Sequence, residues 1–207
     1  MKWKPRKLSD ETLDDKLPSI ITLSPADLSN DSSPVGNKIY LYDDITRASV
    51  LSVSRQIDEI TKHLKMFQLT YNLQEAPAIE LHISTDGGDI SPAFSLVDKI
   101  KSNPIPINTY CEGFVASAGT LISVVGKKRY ISQNSCMLLH QLSSQVWGSF
   151  EAISDEKQNL DLFMKMIKKV YLKHTKFTTK QLNELLKHDL CMTSEETLAY
   201  GVVDEII

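Results

Sequence analysis

An α/β fold with much parallel strand pairing is expected for this chain, on three observations. Strand-type and helix-type hydrophobic periodicities alternate through its middle, a Gly-Gly turn joins one strand to one helix, and a small-residue segment around Ser117 joins a later strand to the next helix. The chain has 207 residues, enough for one good core with a short appendage.

Residues 1–37 differ from the rest. They are rich in charge, Ser and Pro, with one brief apolar run at 17–23. They read as an N-terminal arm, either poorly ordered or ordered against a partner subunit. From Lys38 the pattern becomes regular. Residues 39–42 form a short strand, and Val50, Val53, Ile57, Ile60, Leu64 and Phe67 recur at helical spacing. Residues 79–84 alternate as a strand does, and the turn Asp86-Gly87-Gly88-Asp89 follows. Ile90, Ala93, Phe94, Val97 and Ile100 then mark one helix face. Residues 104–111 read as a strand whose two prolines place its start near a sheet edge. Two short strands are expected at 129–132 and 136–140, and a long helix over 149–174. Thr178 with Gln181, and Thr193 with Glu196, have the spacing of capping boxes that open two further helices, the second stopped at Gly201.

Composition narrows the function classes. A net charge of −3 argues against a dedicated nucleic-acid binder. No apolar run approaches the length of a transmembrane helix, so no membrane association is expected, and the basic start has no signal-type apolar segment after it. Three irregularly spaced cysteines, Cys111, Cys136 and Cys191, suggest reduced thiols in a cytoplasm, with no disulfide framework and no metal site. No Gly-Lys-Ser or Gly-Lys-Thr run is present, so nucleotide hydrolysis by the chain itself is not expected, nor is any cofactor.

The chemistry-bearing candidates are a serine, a histidine and an aspartate in three separate runs. Ser117 sits among small residues in Gly113-Phe114-Val115-Ala116-Ser117-Ala118-Gly119, where the backbone can turn sharply. Val115 occupies the place of the first glycine of a nucleophile elbow, so that motif fits poorly. His140 ends an apolar strand, and Asp189 lies between two helices. By spacing alone Ser117 is a packed turn serine, His140 a satisfied core histidine and Asp189 a solvated carboxylate. Taken together they supply a nucleophile, a base and a group to fix the base's tautomer. Gly87 and Gly88 are either a tight turn or backbone donors to an oxyanion. His82 is the reserve candidate for the base, and His63 and His174 read as solvated.

These runs, in this order, resemble the ClpP family, the proteolytic subunit of the ATP-dependent Clp protease. Thr85-Asp86-Gly87-Gly88 resembles the family's Ser-Pro-Gly-Gly turn, Gly113 to Gly119 its nucleophile segment, and Asn134 to Gln141 its histidine strand. Asp189 followed by Met192-Thr193-Ser194-Glu195-Glu196 and Tyr200-Gly201-Val202-Val203-Asp204 is similar to its C-terminal signature. The resemblance covers roughly residues 38–207. It implies a crotonase-like fold of repeated β-β-α units, with the 149–174 helix as a protruding handle. It implies Ser117 as nucleophile, His140 as general base and acid, Asp189 as the group that orients the imidazole, and an oxyanion hole from Ala118 with Gly87 or Gly88, Gly87 being the first choice. It further implies stacked heptameric rings, a tetradecamer with its serines inside, that degrade unfolded proteins fed by an AAA+ unfoldase. Asp86 and Leu142 stand where the family prefers proline, and residues 1–37 do not resemble its N-terminal axial loop. A divergent, phage-type member fits those departures. Three other readings share the scaffold: a processing peptidase for one target such as a capsid precursor, a crotonase-type acyl-thioester enzyme, and an inactive ring subunit.

Overall fold

The computed structural model describes residues 36–207; the expected arm over 1–37 lies outside the described residues except for its last two. The first strand, β1 (Lys38–Leu41), leads to α1 (Arg47–Thr70), and β2 (Ile79–Thr85) leads to α2 (Ile90–Ser102). β3 (Ile107–Ala116) runs straight into the short α3 (Ala118–Ser123). Then come β4 (Arg129–Ile131), β5 (Cys136–Leu138) and the long α4 (Phe150–His174). The chain closes with α5 (Thr179–Leu185), β6 (Cys191–Thr193), α6 (Ser194–Ala199) and β7 (Glu205–Ile206).

The main sheet has the order β1-β2-β3-β4-β7, every neighbouring pair parallel. β1, β2 and β3 alternate: Ile39, Leu41, Ile79, Leu81, Ile83 and Ile107 are buried on one face, while Tyr40, His82 and Tyr110 stack on the other. α1 and α2 turn their apolar stripes, with Val53, Ile57, Ile60, Leu96 and Val97, into the same core.

β3 is the element that creates the site. Its first half pairs with β4, at Thr109–Cys111, and its second half pairs with β5, at Phe114–Ala116. Between them its register against β2 jumps, so that Ile83 faces Cys111 while Thr85 faces Val115. Such a bulge bends the strand and re-aims its C-terminal half. Gly113 takes a positive φ of 63° there, and its N–H donates to Ser135 Oγ at 2.7 Å. The bent end carries β5, and β5 carries β6 antiparallel to it, as a small ribbon diverging from the main sheet.

β3 lies in the centre of the sheet, not near its edge, which corrects the expectation drawn from the prolines. Pro104 and Pro106 stand in the turn before Ile107, so their missing N–H groups cost the ladder nothing. The expected caps are present. Thr178 with Gln181, and Thr193 with Glu196, form reciprocal capping boxes, and Ser149 caps α4. α4 buries only Ile167 and Tyr171; Phe150, Ile153, Leu162 and Met166 are exposed along it. No helix among the described residues is long and apolar enough to cross a membrane.

Candidate active site

Ser117 occupies the single residue between β3 and α3, at φ 52° and ψ −122°. A non-glycine residue at positive φ is strained, and such strain persists only where the surroundings hold it. Two anchors do so here. Ser117 N–H donates to Leu138 O of β5 at 2.8 Å, and Ser117 O accepts from Thr120 N–H at 3.1 Å and Thr120 Oγ1 at 2.6 Å. The Thr120 hydroxyl is also 2.6 Å from the Tyr171 hydroxyl on α4. Tyr171 is buried, and burial raises its phenol well above the ordinary range, an effect the Thr120 bond partly offsets. The phenol therefore serves as a fixed neutral hydrogen-bonding group that ties the long helix to the serine turn.

His140 lies two residues past the end of β5, and Asp189 two residues before β6. The β5–β6 ribbon brings these distant segments side by side. His140 Nε2 is 2.7 Å from Ser117 Oγ, and His140 Nδ1 is 2.9 Å from Asp189 Oδ1. The three side chains form one continuous hydrogen-bonded line. Asp189 is largely exposed, at 76 % for its side chain, while His140 is at 25 %. Gln141 N–H donates to Leu186 O at 2.8 Å, which pins the histidine segment to the end of α5.

The two glycines have different surroundings. Gly87 packs against the serine: a Cβ there would sit 2.6 Å from Ser117 Cβ. Its N–H already donates to Thr85 Oγ1 at 3.1 Å, and its carbonyl accepts from Ile45 N–H at 2.7 Å. Gly88 forms a parallel bridge with Ile45 in which the bonds run through its neighbours Gly87 and Asp89, leaving its own N–H out of the pairing. Gly88 lines a narrow cavity of about 20 Å³ together with Ser117, Ala118, His140, Leu142 and Ile167. Ala118, as the first residue of α3, has an amide that the helix's own ladder does not use.

His82, the reserve base, is engaged elsewhere. It is buried on β2 between the stacked rings of Tyr40 and Tyr110, with Nδ1 2.8 Å from Glu112 Oε1. His63 is exposed as expected, but His174 is half-buried; burial first, then nearby lysines and Arg129, lower its pKa. Trp147 is fully exposed. Thr120 and Tyr171 are site residues that sequence reasoning does not find. Tyr171 belongs to the apolar stripe of the long helix, but no local pattern marks a hydroxyl that meets a threonine 51 positions away.

Comparison with known proteins adds to this geometry. Residues 34–207 match the family described as Clp protease. Among curated relatives, the ATP-dependent Clp protease proteolytic subunit 2 of Chlamydia trachomatis is 27 % identical over 171 residues, covering 81 % of this chain and 84 % of the relative. The proteolytic subunit 3 of Streptomyces coelicolor is 26 % identical over 162 residues, covering 76 % of this chain and 75 % of the relative. Among solved structures, a mutant ClpP1 from Listeria monocytogenes superposes with a TM-score of 0.70 at 21 % identity, covering 83 % of this chain and 91 % of that one. That likeness carries the fold: the bent parallel sheet and protruding α4 follow the ClpP-like architecture.

Proposed function

The chain belongs to the Clp protease family, and from that premise we propose that it is a serine endopeptidase acting through Ser117, His140 and Asp189. The observation that carries this reading is the unbroken line from Ser117 Oγ through the imidazole to Asp189, at 2.7 and 2.9 Å. Asp189 accepts from Nδ1–H and so leaves Nε2 as the lone-pair nitrogen facing the hydroxyl. As Ser117 Oγ attacks the scissile carbonyl, Nε2 takes its proton. The tetrahedral oxyanion that forms is held by two amides, Ala118 N–H and Gly88 N–H. Gly88 is assigned ahead of Gly87 because the Gly87 amide is already bonded to Thr85 Oγ1. The imidazolium then protonates the leaving amine, and a water molecule repeats the sequence on the acyl-enzyme. Each oxyanion donor is worth about 10²–10³ in rate in sites of this kind.

Residues 38–207 form the peptidase domain in this reading, with residues 1–37 as a separate arm. The working form is a chamber of stacked heptameric rings, the serines facing inward, with unfolded protein delivered by an AAA+ ATPase. Two findings favour an assembly. Phe150, Ile153, Leu162 and Met166 leave α4 with large apolar side chains that the other described residues do not cover. The relatives named above are subunits of an ATP-dependent protease.

The test is hydrolysis of an unstructured fluorogenic peptide, with native mass measured in parallel. Wild type should cleave and Ser117→Ala should not, at the same assembled mass. Equal cleavage by both would remove Ser117 from the mechanism.

A further inference from the structure

Two of the three cysteines lie on the ribbon that holds the site. Cys136 opens β5 and Cys191 opens β6, and the strands pair with Cys136 opposite Thr193, Met137 opposite Met192 and Leu138 opposite Cys191. Met137 and Met192 are buried. Side chains alternate along a strand, so both cysteines fall on the other, outward face, as diagonal neighbours. Cys136 is half-buried and Cys191 is exposed. Burial first, then the neighbouring Cys191, raise the Cys136 thiol above its ordinary value. The register alone sets the two thiols next to one another on that face. Cys111 is different: it is sealed in the core, and burial pushes its thiol up to about 12.

We propose that Cys136 and Cys191 are a reversible oxidation site, and that closing them into a disulfide disables the catalytic line. The oxidant is a low-molecular-weight disulfide such as oxidised glutathione. The exposed Cys191 thiolate attacks one of its sulfurs and expels one glutathione thiolate. Cys136, once deprotonated, then attacks the Cys191 sulfur of the mixed disulfide and expels the second. Two protein thiols lose two protons and two electrons, and the oxidant gains them as two glutathione thiols.

The coupling to the site is geometric. Diagonal neighbours on antiparallel strands have Cα atoms about 7–8 Å apart, whereas a disulfide spans about 4.4–6.8 Å. Closure must draw β5 and β6 past one another by roughly 1–2 Å, to bring the first span within the second. His140 hangs on the end of β5, Asp189 on the start of β6, and the Ser117 amide on Leu138 O of the same ribbon. A displacement of about 1 Å in a catalytic constellation costs on the order of 10² in rate. The second half of this proposal rests on the peptidase reading; the first half does not.

The full chain is treated with oxidised glutathione, remaining thiols are alkylated, and peptides are mapped by mass. A Cys136–Cys191 cross-link is expected, removed by dithiothreitol. Fluorophosphonate labelling of Ser117, followed in the same samples, should slow about a hundredfold on oxidation and recover on reduction. Cys136→Ser should retain its labelling rate in the oxidant. Absence of the cross-link would overturn the proposal, as would a cross-link that leaves labelling unchanged. Loss of labelling in oxidised Cys136→Ser would do so too, by tracing the inhibition to an adduct on Cys191 alone. Reduced protein that never labels would instead overturn the peptidase reading, with the cross-link still judged by the map.

Discussion

Replacing Asp189 by asparagine and by alanine distinguishes what the carboxylate does. In buried triads the equivalent asparagine change costs about 10⁴, because the amide fixes the wrong imidazole tautomer. Asp189 is 76 % exposed, so water screens its charge and can take its place at Nδ1. Alanine then leaves an imidazole that water can still orient, with an expected loss of about 10²-fold, equivalent to roughly 2.7 kcal/mol at 1.36 kcal/mol per tenfold. Asparagine can stay within about 3 Å of Nδ1 and donate its N–H there, which puts the proton on Nε2 and blocks the Ser117 hydroxyl. Its loss is therefore expected to be larger, about 10³-fold or roughly 4 kcal/mol. The measurement is kcat on a fluorogenic peptide, with fluorophosphonate labelling rates alongside. If both variants stayed within twofold of wild type, the carboxylate would have no orienting role. If alanine were worse than asparagine, tautomer control would be the wrong explanation.

Three further outcomes are expected from packing and charge. Gly119→Ala would set a Cβ 2.4 Å from Thr85 Cγ2, an overpacking that costs about 1–3 kcal/mol; Thr85→Ser removes that methyl, keeps the hydroxyl, and should recover most of the loss in a double-mutant cycle of denaturant midpoints. Tyr171→Phe removes the hydroxyl that meets Thr120 at 2.6 Å and should cost about 1–2 kcal/mol, with a fall in kcat larger than any change in KM because the serine turn loses its brace. Arg129 donates to Asp204 and to the carbonyls of His174 and Gly201, at 2.6 Å and 2.9 Å for the carbonyls, so Arg129→Met should lose about 3 kcal/mol in urea titrations. Hydrogen bonding from Arg129 holds the Asp204 carboxyl below its ordinary value; that contribution is complete above the usual carboxylate range and is lost as pH falls through the lowered folded value. The variant should therefore show a flatter acid limb of stability than wild type, and equal limbs would remove the pair from the acid response.

Much of the scaffold was legible because its signals are local. The Thr178–Gln181 and Thr193–Glu196 boxes, the helix over 149–174 and the strand at 79–84 each reside within a few turns or residues, and each forms close to where periodicity and capping place it. The central place of β3 was not legible, because prolines report only on the backbone beside them and here they stand just outside the strand. The difference in surroundings between Gly87 and Gly88 was not legible either. Two adjacent glycines look alike in sequence, and what separates them is a bridge to Ile45, on the far side of α1 and β2 in the chain. Asp189 reads as a loop carboxylate until the β5–β6 pairing brings it to His140, 49 residues away. Register between distant strands leaves no imprint on local hydrophobic pattern, so resemblance to a family pointed to this residue where spacing could not.

The central claim is that Ser117 is made nucleophilic by its own chain's histidine. Its most direct measurement is peptide mapping after reaction with a fluorophosphonate, on wild type and His140→Ala. A single adduct on Ser117 in wild type, formed at least about a hundredfold faster than without the imidazole, is expected. An adduct on any other residue, or equal rates in the two proteins, would contradict it.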